Sequence, residues 1–354
     1  MNTQMQKENR LLWIDAAKGI GMLAIVLGHV LRGEGLLSTA VYTFHVPLFF
    51  LISGFLYRPE RGWRRNLSQS AKKLLIPYLF WGAVSIGIYG VLGRFAADAL
   101  GESQDYTLYE QCIWLLYGYC FANAPLWFLP CLFVARLVLQ ACASGLQGTK
   151  DSPHWIRCLA ALVPPALSAL MLYVYFTKLR VLWPWSLQTV FCVLPFMWLG
   201  HLFRSVYAQH GLPEKGGWIP GLVLTLAGLL AGTFCNGKIQ YMALNLGNWG
   251  LFYVAALSIS AGLLLLCAAW GRNGLLTLVG RYSMPVLLLH KFPVLFFQCV
   301  CPGIRDWLKS GSVTAAAATT LVSTAMCILA GVVLNRLLPW TVGYAPRRQN
   351  QKGE

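Results

Sequence analysis

Charged side chains are scarce in this sequence. Only 11% of its 354 residues are Asp, Glu, Lys or Arg, and 57% are hydrophobic, whereas soluble domains contain about 25% charged and roughly 45–50% apolar residues. A chain with so few charges requires lipid as the solvent for most of its surface. We therefore exclude a soluble enzyme and expect an integral membrane protein.

Paired cysteine motifs are lacking as well. The eleven cysteines occur singly, mostly inside apolar stretches, and only Cys299 and Cys301 are close in sequence. Because no spacing typical of a metal or redox site is present, we interpret them as small apolar packing residues. We predict no bound metal.

The net charge of +16 does not indicate a nucleic-acid partner. The 28 Lys and Arg residues form no continuous basic face and instead separate apolar stretches. A membrane-spanning helix needs about 20 mostly apolar residues, and ten stretches qualify: 13–31, 39–57, 74–93, 125–142, 159–177, 183–203, 218–234, 249–270, 284–301 and 313–334. The fold class is therefore predicted to be all-α, with about ten transmembrane helices in one bundle. Residues 112–122 are apolar but too short to cross, which leaves a re-entrant or an interfacial segment open.

The distribution of basic residues predicts the orientation. With ten spans, the two termini and the loops on their side carry 18 Lys and Arg, and the loops on the other side carry 7. Basic residues in short loops favour the cytoplasm, so both termini and the basic loop 58–73 are predicted to be cytoplasmic. No linker longer than about 20 residues interrupts the spans, so we assign residues 1–354 to a single domain.

The first span carries three polar side chains that are costly in lipid. Asp15 and Lys18 are three residues apart and can pair on one helix face. Lys18 and His29 are eleven residues apart, which places them on one face about 16 Å apart along the axis. This spacing is typical of a polar track across the membrane, although a snorkelling lysine and a histidine at a helix end would produce it too.

His45 lies about two turns inside the second span, after a short loop. In an antiparallel helix pair it would lie near His29, and two neighbouring imidazoles can supply a base and a hydrogen-bond partner at neutral pH. Two histidines that are simply packed in the core remain the alternative interpretation.

Several segments resemble one family. The runs that carry the resemblance are Trp-Ile-Asp-Ala-Ala-Lys to Leu-Gly-His at 13–29, Phe-His-Val-Pro-Leu-Phe-Phe-Leu-Ile-Ser-Gly-Phe at 44–55, and shorter pieces at 72–78, 126–129 and 280–290. Together they resemble the membrane acyltransferase-3 family, especially its branch related to fucose 4-O-acetylases. The first helix pair, residues 13–57, carries the most specific part.

This resemblance implies an O-acyltransferase of a bacterial-type plasma (inner) membrane. Such enzymes move an acyl group, usually acetyl from cytoplasmic acetyl-CoA, to a hydroxyl of a cell-surface or lipid-linked carbohydrate. In the family, a basic residue, ten intervening residues and a histidine form the signature, matched here by Lys18 and His29. Many members have arginine at the first position, and lysine cannot make the same bidentate contact.

Roles follow for the individual residues under this resemblance. His29 is the candidate general base, with Lys18, Asp15 and His45 as further catalytic candidates. Cationic groups can hold the phosphates of CoA, and the candidates are Arg64, Arg65, Lys72 and Lys73, although cytoplasmic loops are basic for topological reasons alone. Ser53, Trp127 and His290 are the candidate acceptor-binding residues. For Ser53 and Trp127, packing is the competing interpretation.

A secondary transporter, or an exporter of polysaccharide or lipid-linked sugar, is the main alternative. It too would show about ten helices with buried polar residues. Transporters often carry Gly- or Pro-interrupted segments at corresponding places in two halves, and this chain shows none. Its polar residues concentrate near the amino end, which favours the acyltransferase.

Overall fold

The computed structural model describes residues 11–31, 35–100, 106–211, 217–237, 239–271 and 273–343, without the side chains of 92–100, 302 and 309. Both termini lie outside these residues, so the side on which they lie stays a prediction. The described part is helical, with one isolated antiparallel bridge between Gln240 and Asn245. The α-helices are α1 (Leu12–Val30), α2 (Gly35–Leu56), α3 (Trp63–Ser70), α4 (Ile76–Leu100), α5 (Leu108–Tyr117), α6 (Phe128–Gly148), α7 (His154–Lys178), α8 (Leu187–His210), α9 (Trp218–Leu230), α10 (Trp249–Trp270), α11 (Gly274–Arg281), α12 (Ser283–Leu289), α13 (Lys291–Val300), α14 (Pro302–Lys309) and α15 (Val313–Leu337).

The predicted all-α bundle is confirmed. Within the described residues, nine helical stretches are long and apolar enough to cross a membrane, and α12 with α13 forms a tenth if this pair, bent by 42°, counts as one span. Each of the ten predicted stretches coincides with one of them. The structure also makes α3 and α4 nearly continuous, because the π-helical turn Ala71–Leu75 joins them.

Glycines allow the helices around α1 and α2 to approach closely. Gly280 of α11 lies directly against the carbonyl of Asp15, and Gly54 of α2 lies directly against the carbonyl of Met197 in α8. A β-carbon at either glycine would collide with backbone atoms of the neighbouring helix, and backbone cannot shift without disturbing that helix. In lipid, where packing drives helix association, small residues allow neighbouring helix backbones to approach closely. These contacts hold α1 and α2 at the centre of the bundle.

Residues 112–122 contain the end of a short helix and a turn. The helix α5 begins with a capping box in which Thr107 and Glu110 bond each other's backbone amides, and it ends at Gly118, whose φ of 102° is left-handed. With ten residues, α5 is too short to cross a bilayer. It packs on α4, where the hydroxyl of Tyr78 donates to the carbonyl of Leu115 at 2.6 Å. A 3-10 turn, Phe121–Trp127, then leads into α6.

Candidate active site

A cavity of about 270 Å³ lies between the His29 end of α1, the middle of α2, the turn before α6, and α12. We call it the histidine cavity. Residues 240–243, from the loop before α10, also line it. Its lining consists of Ile25, His29, Tyr42, His45, Val46, Ala124, Pro125, Trp127, Phe128, Gln240, Tyr241, Met242, Ala243 and Leu287. The structure thus brings His29 and His45, which the sequence predicts to be neighbours, to one cavity with Trp127.

His290 lies directly beside His29, with 5.1 Å between the ring centroids. It is completely buried and occupies the bend between α12 and α13. Its Nδ1 donates to the carbonyl of Val286 at 2.8 Å, since a carbonyl can only accept. In the neutral ring, Nε2 therefore carries the lone pair, and this atom has no hydrogen-bond partner among the described residues.

His45 is held in the same tautomer by the same kind of bond. Its Nδ1 donates to the carbonyl of Val41, one turn earlier in α2, at 2.6 Å. Its ring lies edge-on to the rings of Tyr42 and Tyr241, with centroids 4.9 and 6.1 Å away. The neutral His45 ring therefore presents Nε2 as an acceptor.

His29 differs from these two histidines. It is half-buried, whereas His45 and His290 are buried. Among the described residues neither nitrogen of His29 has a hydrogen-bond partner, so no backbone carbonyl fixes its tautomer. A ring that is accessible from the cavity and free to exchange a proton is the arrangement that general-base catalysis requires.

The loop before α10 closes the cavity. Tyr241 donates from its hydroxyl to the carbonyl of Tyr42 at 2.7 Å, and its own carbonyl accepts from the hydroxyl of Thr189 in α8 at 2.9 Å. Pro47 lacks an amide hydrogen and so leaves the carbonyl of Thr43 without its usual helical partner. The hydroxyl of Tyr241 lies 3.5 Å from that carbonyl. The interruption in α2 thus helps to position this loop over the histidines.

Asp15 and Lys18 form an ion pair at the opposite end of α1. Lys18 Nζ lies 3.8 Å from Asp15 Oδ1, with Asp15 almost fully buried and 23% of the Lys18 side chain exposed. The helical rise places Lys18 about 16 Å from His29 along the axis. The structure therefore separates the two signature residues, and only His29 lines the histidine cavity.

Ser53 lies outside the histidine cavity. Its hydroxyl accepts hydrogen bonds from Nε and Nη2 of Arg136 at 3.4 and 3.3 Å. The sequence analysis missed Arg136, a charged side chain in the middle of an apolar span. Placing such a charge at the centre of a membrane helix costs roughly 2.5–3.5 kcal/mol on insertion scales. An arginine at this position of an apolar span could therefore have been identified from the sequence as a candidate functional residue.

The predicted CoA-binding cations separate into two groups. Arg64, Arg65 and Lys72 are exposed side chains of α3 and the π-helical turn. Lys73 is also exposed but lies close enough to Arg136 to interact with its charge. Of the four, only Lys73 joins the predicted loop to the polar interior of the bundle.

Comparisons with known proteins matched a family model and two curated relatives. A family model described as an acyltransferase domain matches residues 11–335. Nodulation protein NolL of Sinorhizobium fredii is 37% identical over 89 residues, which is 22% of this chain and 24% of that protein. Nodulation protein NolL of Mesorhizobium japonicum is 34% identical over 86 residues, 21% of this chain and 23% of that protein. The matched stretch thus spans about a quarter of the length of these relatives. No solved structure is significantly similar.

Proposed function

The chain belongs to the acyltransferase-3 family of membrane proteins, and from this premise we propose that it is an O-acyltransferase embedded in a bacterial-type inner membrane. In this proposal it moves an acyl group, most simply acetyl, from cytoplasmic acyl-CoA to a hydroxyl of a cell-surface or lipid-linked carbohydrate. The observation that carries the proposal is the histidine cavity, in which His29 is accessible and beside His290.

The reaction requires a base, and His29 is the residue we assign to it. A sugar hydroxyl is a weak nucleophile, and a neutral imidazole can remove its proton as the oxygen attacks the thioester carbonyl. The new carbon–oxygen bond forms, the carbon–sulfur bond breaks, and the CoA thiolate leaves. The imidazolium of His29 then returns its proton to that thiolate, so the base is regenerated.

The remaining histidines and aromatics suit supporting roles in the same cavity. His290 and His45 each present Nε2 as an acceptor, and an acceptor beside His29 can select the orientation of its ring. Trp127 and Tyr42 provide apolar ring faces in the lining, which suit the C–H faces of a sugar. These positions support our proposal that the carbohydrate acceptor binds in the histidine cavity.

The donor is assigned to the opposite end of α1. Lys18 lies there, and the loop with Arg64, Arg65, Lys72 and Lys73 is predicted to be cytoplasmic, where acyl-CoA is available. Cations of this kind bind phosphates well. If the phosphates of CoA bind at that end, the extended pantetheine arm carries the thioester from there to the histidine cavity.

Acyl transfer can be tested directly. Purified protein in detergent is incubated with acetyl-CoA radiolabelled in the acetyl group and with candidate glycans, and label in the glycan is counted after separation. We expect label transfer that depends on both the protein and the glycan. Glycan movement across vesicle membranes without label transfer would instead support the transporter interpretation.

A further inference from the structure

Arg136 is a charged residue packed inside an apolar part of α6. Its neighbours in the helix, Ala135 and Leu139, are fully buried. Within the described residues its guanidinium donates only to Ser53 Oγ, at 3.3 and 3.4 Å, which are long hydrogen bonds. Since a guanidinium has five N–H donors, most of its hydrogen-bonding capacity remains unused.

Arg136 has cationic neighbours but no carboxylate partner among the described residues. Among the described residues, no Asp or Glu forms an ion pair with it. Tyr57 lies near it, but the Tyr57 hydroxyl donates to Gln140 at 2.9 Å and is therefore neutral. Lys73 interacts with the charge of Arg136, and Arg61 interacts with that of Lys73. The carboxylate on this side of the site, Glu60, is already paired with Arg204 at 3.2 Å. Like charges in such proximity repel unless an anion lies between them.

These residues lead from the surface into the bundle. Arg61 and Lys73 are exposed, Arg136 is half-buried, and Ser53 is buried. Lys73 belongs to the π-helical turn Ala71–Leu75, a local distortion that is frequent at functional sites. We call Arg61, Lys73, Arg136 and Ser53 the arginine site.

The chemistry of the arginine site selects phosphate. A guanidinium matches the geometry of two phosphate oxygens, a lysine adds a point charge, and a hydroxyl donates a further hydrogen bond. Ser53 lies eight residues beyond His45 in α2, which places it about 12 Å further along the helix axis. A phosphate at this depth can therefore belong to a molecule whose other end reaches the histidine cavity.

We propose that the arginine site binds a phosphate group of the acyl-CoA donor, with Arg136 as its principal ligand. The proposal rests on the proposed function, because it requires that CoA be the donor. It assigns the phosphates to Arg136 and its neighbour Lys73 and makes Arg64 and Arg65 secondary. A phospholipid headgroup offers the same chemistry, so the experiment must distinguish the two sources.

The first test measures binding without catalysis. The dissociation constant of CoA is determined by calorimetry for the full-length protein in detergent, for Arg136→Gln, and for the more conservative Arg136→Lys. Arg157→Gln, which removes an exposed arginine of α7, is the matched control. We expect Arg136→Gln to weaken CoA binding about tenfold or more, Arg136→Lys to weaken it less, and Arg157→Gln to leave it unchanged.

A second test uses turnover and a second variant. In the label-transfer assay, Arg136→Gln and Lys73→Ala should each raise the KM for acetyl-CoA while kcat stays within about threefold, because the lost contact is made equally before and during the reaction. Lys73→Ala keeps the proposal testable if Arg136→Gln does not fold, since Lys73 is exposed.

Three outcomes would overturn the inference. The first is unchanged CoA affinity in folded Arg136→Gln and Lys73→Ala while the wild type transfers acetyl, which leaves the proposed function standing. The second is unchanged CoA affinity in folded Arg136→Gln that has lost phosphatidylglycerol which mass spectrometry detects bound to the wild-type protein; this would assign the site to a lipid headgroup. The third is a wild-type protein that neither binds CoA nor transfers label, which would remove the proposed function itself.

Discussion

His290 offers a test of how the histidine cavity is organised. Its ring is fully buried and beside His29, and we expect it to act as a positioning residue that orients the base. The informative change is His290→Asn. The amide nitrogen of Asn can replace Nδ1 as donor to the Val286 carbonyl, whereas nothing replaces the acceptor Nε2. His290→Gln is the complement, because its longer side chain places an oxygen acceptor near the former Nε2.

The structure allows the expected magnitudes to be worked out. The carbonyl of Val286 also accepts the backbone amide of His290 at 3.0 Å, so losing the side-chain bond leaves it satisfied. The free energy of unfolding should therefore fall by only about 0.5–1.5 kcal/mol. Misorientation of a catalytic group costs up to about 100-fold in rate, so we expect kcat for His290→Asn to fall about 10–100-fold, equivalent to about 1.4–2.7 kcal/mol.

The assay is acetyl transfer at saturating donor and acceptor, with melting temperature and monodispersity measured on the same samples. His290→Gln should retain more activity than His290→Asn, and the KM for both substrates should change little. His154→Asn, at an exposed histidine of α7, controls for the substitution itself. A His290→Asn variant that folds and keeps kcat within threefold of wild type would refute the orienting role.

Three further predictions concern the loops and termini. Lys72→Ala combined with Lys73→Ala should raise the KM for acetyl-CoA, because two ammonium groups near the phosphates are lost; an unchanged KM would leave these lysines a topological role only. Partial burial raises the pKa of Glu60, but its own backbone amide and Arg204 lower the pKa more, so that it lies below its ordinary value. The interactions that lower the pKa of a carboxyl group stabilise the fold at neutral pH, where the group is ionised. This contribution to stability is lost as the pH falls through the lowered pKa. The melting temperature of Glu60→Gln should thus be lower than that of wild type at pH 7 and equal to it under strongly acidic conditions; equal values at pH 7 would contradict this. Both termini should be cytoplasmic, so a reporter fused after Glu354 that is active only outside the cytoplasm should stay inactive.

The spans could be predicted from the sequence because lipid imposes a length and an apolar composition on each of them. This physical constraint is local, so ten apolar runs were sufficient to place the nine candidate spans and the bent pair α12 and α13 of the described residues. The boundaries are less accurate: α2 begins at Gly35 rather than at Thr39, and the third span extends back through the π-helical turn to Trp63. Interfacial residues can be helical without being apolar, and composition does not reveal where such helices begin.

The candidate site was predictable only where its residues are close in sequence. His29 and His45 lie on consecutive helices joined by a short loop, so their common cavity could be expected. The contact of His290 with His29 joins residues far apart in the chain; the family resemblance indicated His290 as a candidate residue but not this contact. Tyr241 lies in a loop whose path depends on bonds to other helices, such as the one it makes to Tyr42. No local pattern in the sequence carries that information.

The central claim is that His29 is the general base of an acyl transfer, and His29→Gln tests it most directly. Glutamine retains hydrogen bonding but cannot accept the proton at neutral pH. General-base catalysis typically contributes about 10²–10⁴ in rate, so the rate of label transfer from acetyl-CoA to glycan should fall at least about 100-fold. The variant should remain folded and monodisperse, and His210→Gln, at an exposed histidine at the end of α8, should transfer label at the wild-type rate. A folded His29→Gln variant that keeps more than about a tenth of wild-type turnover would contradict the claim, since even the lower bound for a general base is then excluded.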